Sequence, residues 1–333
     1  MKRSLLVVLL LSAIAFACAC EAPLVKKAEV VVEPTGGDAS AAFKKAIDDV
    51  KDGGTVRLRA GTYRLNQPIQ VLKSVTIVGE GLDKTKVVGS TGESVIEFNG
   101  HTTVTVQGVA FSRSGREGGD AVDVVAATAT FTDCTFSGAI AGAVSGGNGL
   151  AFFNESKGTV KSCDASDNEH SGIHVQDTAK VELTANTCGQ NGDAGIAFIG
   201  EAGGTATGNT CTTNDFDGIH VQDKCKPALV KNTCTKNRQA GILYIGQAGG
   251  QASENKCSEN GGPGISVGET AAPELLGNRC TKNPFGLAFY DHAAGMAQGN
   301  LCPSVRPGDI GIAVFDKAKP KLLHNKAAIT LTP

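Results

Sequence analysis

Residues 172–191 read GIHVQDTAKVELTANTCGQN, and this pattern recurs along the second half of the chain. Further copies begin at Gly195, Gly218, Gly241, Gly264 and Gly286, at intervals of 22 or 23 residues. Self-similarity at so short a period is the signature of a solenoid, in which each unit stacks on its neighbours. Within a unit, apolar residues alternate with others over four or five positions, which is the period of a strand and not of a helix. The sequence therefore predicts an all-β fold, a right-handed parallel β-helix with turns about 4.8 Å apart.

The first half of the chain is less regular but carries the same signals. AVDVV from Ala121 and LAFFN from Leu150 take the place of the later GIHVQ strands, and FTDCTF resembles the later LTANTC. Counted in this way, about a dozen turns fit between Thr55 and Thr332.

A different pattern precedes the first turn. Phe43, Ala46, Ile47 and Val50 fall on one helical face of residues 39–50, after the capping candidates Asp38 and Ser40. We expect a short amphipathic helix that covers the open end of the coil and its unpaired strand edges.

With its cap, its first turns and its GIxV...LxxNxC units, the chain resembles the pectin-lyase-like superfamily of right-handed β-helix proteins over residues 35–330. The resemblance implies the fold, but the superfamily includes lyases, hydrolases, epimerases and proteins with no known reaction. The adjacent Asp pair, Gly-His-Gly and Arg-x-Lys of its polygalacturonase-like members do not occur in that form. The Asp-Pro-His-Asp of its alginate epimerase-like members has YDHAAG at residues 290–295 as its nearest match, without the Pro and the second Asp.

Charge and the first residues constrain partners and location. The 333 residues carry 31 basic and 33 acidic side chains, a net charge of −2, which disfavours nucleic acid as a partner. Residues 1–20 combine a basic start with a short apolar run and small residues, which predicts an export signal. Either Cys18 or Cys20 is lipidated, as in a bacterial lipoprotein, or the signal is cleaved without lipidation. We expect residues 21–37 to be a linker, residues 38–333 to form the β-helix domain, and the protein to work in the periplasm, anchored to the outer membrane or outside the cell.

Two residue types recur in step with the turns. Cysteines at 188, 211, 234, 257, 280 and 302 are predicted to stack inward as buried thiols, since about 4.8 Å between turns exceeds the usual Cβ separation in a disulfide. Cys225 lies off this column in a turn, so we expect it to be the most exposed thiol. Asparagines two places before the cysteines predict a ladder that satisfies backbone groups at a corner.

Strand alternation places the polar residues of GIHVQD on the surface. A column through His174 and His220 points outward, as does a second column that includes Phe153, Gln176, Ile199, Gln222, Ile245 and Tyr290. Aromatic planes combined with amides are typical of carbohydrate-binding surfaces, so this second column, with Asp291 in the following turn, is the candidate ligand site. A covering loop, a dimer partner or a membrane surface is the alternative explanation of such a stripe.

The turn after this strand carries a row of acidic residues. Asp177 and Asp223 lie two turns apart, near the upper end of the carboxyl separation in inverting glycosidases, so they are acid/base candidates with His174 and His220 as contacts. Capping of the local backbone explains the same carboxylates without catalysis. The row would also offer oxygen ligands to Ca²⁺, although the sequence does not require a metal and shows no zinc site.

Three hypotheses about function follow. The first is an exported protein that binds polysaccharide or another cell-envelope ligand along the outward strands without catalysis. The second is a hydrolase, lyase or epimerase that acts on polysaccharide in the same groove. The third is a structural surface protein that oligomerises through the stripe.

Overall fold

Three parallel β-sheets form the faces of a right-handed coil in the computed structural model. The model describes residues 26–331 except 93, 144–145, 304–305 and 328–329; the predicted signal segment, with Cys18 and Cys20, lies outside them. Most turns of the coil contribute one strand to each sheet in the order A, B, C; the turn that begins at Lys157 contributes only the bridge of Asp164 to sheet B. Sheet A has 13 strands, so the coil makes about 13 turns, and the predicted all-β parallel solenoid is confirmed.

The strands stack in chain order within each sheet. Sheet A consists of Lys27–Val32, Val50–Leu58, Val75–Val78, Thr103–Gln107, Thr128–Thr132, Lys157–Lys161, Lys180–Thr184, Gly203–Thr207, Ala228–Val230, Gln251–Ser253, Glu274–Leu276, Met296–Gln298 and Lys321–Leu323. Sheet B consists of Gly61–Leu65, Thr85–Gly89, Ala110–Arg113 and Thr135–Ser137, then Thr187–Gly189, Thr210–Thr212, Thr233–Thr235, Lys256–Ser258, Arg279–Thr281, Leu301–Cys302 and Lys326–Ala327. Sheet C consists of Ile69–Val71, Ser94–Asn99, Asp120–Val125, Leu150–Phe153, Ile173–Val175, Ile196–Phe198, Ile219–Val221, Ile242–Tyr244, Ile265–Val267, Phe285–Phe289, Ile310–Val314 and Thr330–Leu331.

The helix that the sequence predicts at the start of the coil spans Ser40–Asp49. Asp38 Oδ1 accepts hydrogen bonds from the backbone N–H of Ser40 (2.9 Å) and from its hydroxyl (2.6 Å), which satisfies the first turn. Phe43, Ala46 and Ile47 are buried against the first strands. The predicted linker, residues 21–37, contains the first strand of sheet A, Lys27–Val32, which pairs with Val50–Leu58.

The six-cysteine column is buried inside sheet B and its thiols are free, in line with the sequence prediction. The prediction for Cys225 was wrong: this side chain is fully buried. It takes the inward turn position that Ala179, Ala202 and Ala248 occupy in neighbouring coils, all of them buried. Burial raises the pKa of the Cys225 thiol to about 12, so it is held as an unreactive thiol.

Two asparagine ladders fasten the corners on either side of sheet B. In the predicted ladder, Asn209 Nδ2 donates to Leu183 O (3.0 Å) and to Asn232 Oδ1 (2.9 Å), and Asn232 Oδ1 also accepts the backbone N–H of Asn209 (2.9 Å). Sequence analysis overlooked the second ladder, although its 23-residue interval was visible; it consists of Asn168, Asn191, Asn214, Asn237, Asn260 and Asn283. Because every amide bonds the next coil, the ladders lock the register of the turns.

Candidate functional site

The outward surface of sheet C, called here the C face, carries the residues that the sequence singled out. Strand pairing places Ala151, His174, Ala197 and His220 in one column, as predicted. The two histidines are half-buried, and most of the rest of this column is buried, which differs from the exposed surface expected from alternation. The second predicted column, Phe153, Gln176, Ile199, Gln222, Ile245 and Tyr290, is half-buried, and Asp291 is exposed in the following turn.

Each GIHVQD motif forms a chain of three side chains. His174 Nε2 lies 3.0 Å from Gln176 Oε1, and Gln176 Nε2 donates to Asp177 Oδ1 (3.3 Å). His220, Gln222 and Asp223 repeat this arrangement at 3.1 and 3.4 Å. The amide nitrogen of each glutamine donates to the aspartate, so the amide oxygen of the glutamine faces the imidazole. This oxygen can only accept, so the histidine must carry a proton on Nε2.

Asp177 and Asp223 have a structural task in the coil. Both residues adopt the left-handed conformation, with φ of 59°, which Asp tolerates better than most residues. Asp177 Oδ2 accepts the backbone N–H of Asn154 (2.9 Å), and Asp223 Oδ2 accepts that of Gly200 (3.1 Å). Each carboxylate therefore fastens its own turn to the turn before it, which is the capping role that the sequence left open.

Close packing at this corner accounts for the glycines that follow Asp177 and Asp223. Glycines occupy the same left-handed position in the intervening coils, where Gly200 has φ of 80° and Gly246 has φ of 72°. A Cβ on Gly246 would lie 2.8 Å from the backbone nitrogen of Asp223, and one on Gly200 would lie 3.3 Å from Asp177. A side chain at Gly200 or Gly246 would therefore crowd the Asp of the preceding coil.

The two histidines of the repeated motif differ in charge. His220 Nδ1 lies 3.0 Å from Oδ2 of Asp217, whose side chain is only 2% exposed. Burial disfavours the imidazolium, but the hydrogen bond and charge of Asp217 outweigh it and raise the pKa of His220. Position 171 holds serine where the second motif has Asp217, and burial lowers the pKa of His174. The pKa of His220 is thus raised and that of His174 lowered, so His220 takes up a proton at a higher pH than His174.

Aromatic rings lie at both ends of the C face. Phe153 contacts His174, with ring centroids 6.0 Å apart. Near the other end, Tyr290 stacks on Phe315 at 5.0 Å with planes 10° apart, and Phe285 meets Phe315 edge-on at 5.7 Å; these three rings are called the aromatic plate. Ala288 and Ala313 point outward beside them yet are fully buried, a burial that we attribute to the rings above. Phe285, Tyr290 and Phe315 are each half-buried, so part of the plate is open to solvent.

Sequence analysis missed a cluster of charges at the first coils of the C face. Asp123 pairs with Glu97 on the neighbouring strand, and its side chain is 8% exposed with Oδ1 buried and without a hydrogen bond in the described structure. Burial and the nearby Asp120 carboxylate raise the pKa of Asp123 well above its usual range. Arg113 is buried beside them, but its guanidinium donates to the carbonyls of Gly92 and Asp120. In the sequence, the only indication of this cluster was that Asp123 lies in the outward column that includes His174 and His220.

Other surfaces and groups are less specific. Two depressions of about 550 and 480 Å³ lie at corners of the coil, not on the C face. Among the described residues, no three His, Cys, Asp or Glu side chains are grouped so as to hold a metal ion. The helix in the described part of the chain is too short to cross a membrane.

Comparison with known proteins places the chain by its fold. The model of the right-handed β-helix region matches residues 94–255 and 217–328, and the chain belongs to this family. No curated protein sequence matches at a significant level.

Solved structures with the same fold are distant in sequence. The A-module of mannuronan C-5 epimerase AlgE6 from Azotobacter vinelandii is 14% identical with a TM-score of 0.70, and the alignment covers 93% of this chain and 96% of that one. The AlgE4 A-module of the same organism gives 0.60 at the same identity and coverage. The periplasmic alginate epimerase AlgG gives 0.65 at 14% identity, covering 92% and 77%. At such identities the likeness establishes the coil alone.

Proposed function

We propose that this protein binds a polysaccharide lengthwise along the C face, outside the cytoplasm and without catalysing a reaction. One observation carries the proposal. Large outward side chains, both apolar and amide, follow a single line that Gly268 interrupts, and they remain half-exposed: Phe153, Gln176, Ile199, Gln222, Ile245 and Tyr290. Phe153 and Tyr290 are six coils apart, so the line is about 29 Å long. An extended glycan offers apolar ring faces and hydroxyls in the same succession.

The polar groups on this line suit binding better than acid/base catalysis. Both ring nitrogens of His220 contact protein oxygens, those of Asp217 and Gln222. Asp177 and Asp223 each hold a backbone N–H of the preceding coil. A general acid or base must exchange its proton with the substrate, whereas these groups are fixed in structural bonds. The export signal and the lipidation of Cys18 or Cys20 remain predictions from the sequence and support a location in the cell envelope.

A second candidate function, hydrolysis, elimination or epimerisation of the same polysaccharide, is favoured by Asp123. A carboxyl group with a raised pKa beside another carboxylate is the usual form of a general acid. The alginate epimerases among the structural relatives are named for reactions on polysaccharide, which keeps this candidate in view.

A glycan array, followed by mass analysis of any bound oligosaccharide after incubation, separates these functions. Binding with unchanged mass, weakened in Phe153→Ala but not in Phe216→Ala, is the expected result. Phe216 is a matched control because it is 51% exposed and lies outside the C face. A mass change that disappears in Asp123→Asn would favour the enzyme. Absence of binding, together with a concentration-dependent dimer, would contradict both and support the structural hypothesis.

A further inference from the structure

We propose that the C face selects glycans that carry free amino groups and rejects polyuronates, an inference that rests on the proposed polysaccharide binding. The argument begins at the aromatic plate. Asp291 directly follows Tyr290, and Asp316 directly follows Phe315, so each ring has a carboxylate as its neighbour in the chain. Both aspartates adopt the left-handed conformation, with φ of 54° and 56°, and both side chains are exposed.

Hydrogen bonds fix these carboxylates at the edge of the plate. Asp291 Oδ2 accepts the backbone N–H of Glu269 (3.0 Å), and Asp316 Oδ2 accepts that of Asp291 (3.3 Å). Oδ1 of each accepts no hydrogen bond from the residues that the structure describes. Each aspartate therefore presents one oxygen to a ligand without giving up its bond to the coil, and no side chain needs to be reordered on binding.

The charge of this turn is negative. Glu269, Asp291 and Asp316 contribute three carboxylates to this turn, where Lys317 is the one Lys or Arg, and Lys319 and Lys321 follow as the chain leaves it. A ring face beside carboxylates is the arrangement that recognises an ammonium group, through cation–π attraction and ion pairing together. A uronate on the same rings would meet like charge at short range.

The rest of the C face has the same sign. No described strand of sheet C contains Lys or Arg, whereas Glu97 and Asp120 lie on its first strands. Asp177 and Asp223 continue the acidic row along the turn. Lys224 beside it is paired with Glu201 at 3.0 Å, and Arg113 is buried against backbone carbonyls. A polyanion would therefore find no unpaired cation on the described strands of this face, while a polycation meets carboxylates at both ends.

Three hexasaccharides of equal length test the inference by calorimetric titration at pH 6. They are a β-1,4-glucosamine hexamer, its fully N-acetylated counterpart and a uronate hexamer. We expect the glucosamine hexamer to bind at least about tenfold more tightly than the N-acetylated one, with an affinity that falls as salt rises, and the uronate hexamer to bind most weakly.

Variants locate the effect. The double variant Asp291→Asn, Asp316→Asn keeps a side-chain oxygen for the backbone bonds and a residue that tolerates the left-handed conformation, but removes both charges. The double variant should lower the affinity for the glucosamine hexamer to that of the N-acetylated hexamer. Phe216→Ala should change the affinity for neither hexamer. A uronate hexamer that binds as tightly as the glucosamine hexamer, or a preference that survives the double variant, would overturn the inference and leave polysaccharide binding intact. Failure of all three hexamers and of the glycan array would instead refute the proposed function and the inference together.

Discussion

His220 and Asp217 form a buried ion pair, with Nδ1 of the imidazole 3.0 Å from Oδ2 of the carboxylate. The same carboxylate accepts the backbone N–H of Ala240 through Oδ1 (2.9 Å), so it ties two coils together. The identical hexapeptide at Gly172 lacks this partner because Ser171 stands in its place. Two copies of one motif thus give histidines whose pKa values are shifted in opposite directions.

The ion pair predicts a pH dependence of opposite sign for the two histidines. The pKa of His220 is raised in the folded protein, so its stabilisation is complete below the unfolded value of about 6.5 and is lost as pH rises through the folded pKa. The pKa of His174 is lowered, so its contribution is lost as pH falls. NMR titration of the imidazole resonances should place the His220 pKa above that of His174; the reverse order would contradict the assignment.

Substitution of the two histidines should differ in cost. His220→Gln leaves the Asp217 carboxylate buried without its partner, and we expect the free energy of unfolding to fall by about 3 kcal/mol at pH 6. His174→Gln removes one hydrogen bond and no ion pair, so a loss of about 1 kcal/mol is expected. Urea unfolding of the matched variants measures both values. Equal losses would show that the Asp217 contact adds nothing.

The left-handed glycines test the crowding at the corner after Asp223. Gly246 and Gly277 both have positive φ, 72° and 61°, but a Cβ on Gly277 would meet no atom within 4 Å. Gly277→Ala should therefore lower the free energy of unfolding only through backbone strain, by about 1 kcal/mol. Gly246→Ala has the same strain and adds a clash with the Asp223 backbone. Thermal unfolding should show a clearly larger drop in Tm for Gly246→Ala, and similar drops would refute the packing argument.

The asparagine ladder predicts a large effect from a single interior amide. Asn232→Ala removes the acceptor of the Asn209 backbone N–H and the donor to Ala206 O, which leaves buried polar groups unpaired. We expect a loss of about 3 kcal/mol in the free energy of unfolding. Asn325→Ala, at the half-buried end of the same ladder, is the control and should cost less. A loss for Asn232→Ala no larger than for Asn325→Ala would contradict the ladder's role.

The carboxylates of the repeated motif should be replaceable by amides. Asp177→Asn keeps an acceptor for the Asn154 backbone N–H and a residue suited to positive φ, so stability and glycan binding should change little. Asp177→Ala loses both the acceptor and the tolerance of positive φ, and it should lower the free energy of unfolding by about 1 to 2 kcal/mol. A reaction on polysaccharide that Asp177→Asn abolishes without affecting stability would show that this carboxylate is catalytic after all.

Repetition made most of the fold predictable. Because each coil repeats the same inward positions, the cysteine column and the strands of GIHVQD followed from spacing, and Phe43 and Ile47 marked the cap. Alignment of Cys225 with Ala179 and Ala202 would have shown that its turn position faces inward. Its residue type and turn location gave the wrong expectation.

The candidate site was less predictable because it depends on what covers the strands. Alternation gives the direction of Ala288 and Ala313 but not the rings that bury them. The environments of Asp123 and Arg113 depend on loops that fold back across neighbouring coils, such as the one whose Gly92 carbonyl accepts from Arg113. Local periodicity carries no information about such contacts. The opposite pKa shifts of His174 and His220 likewise depend on one residue outside the repeated hexapeptide.

Hydroxyl-radical footprinting with and without a bound glycan, taken from the array, tests the central claim most directly, because aromatic side chains on and off the C face report separately. We predict that the glycan protects Phe153, Tyr290 and Phe315 and leaves Phe216 as reactive as in the free protein. Protection of Phe216 with unchanged reactivity of the three C-face aromatics would show that the glycan binds elsewhere and would contradict the proposed function.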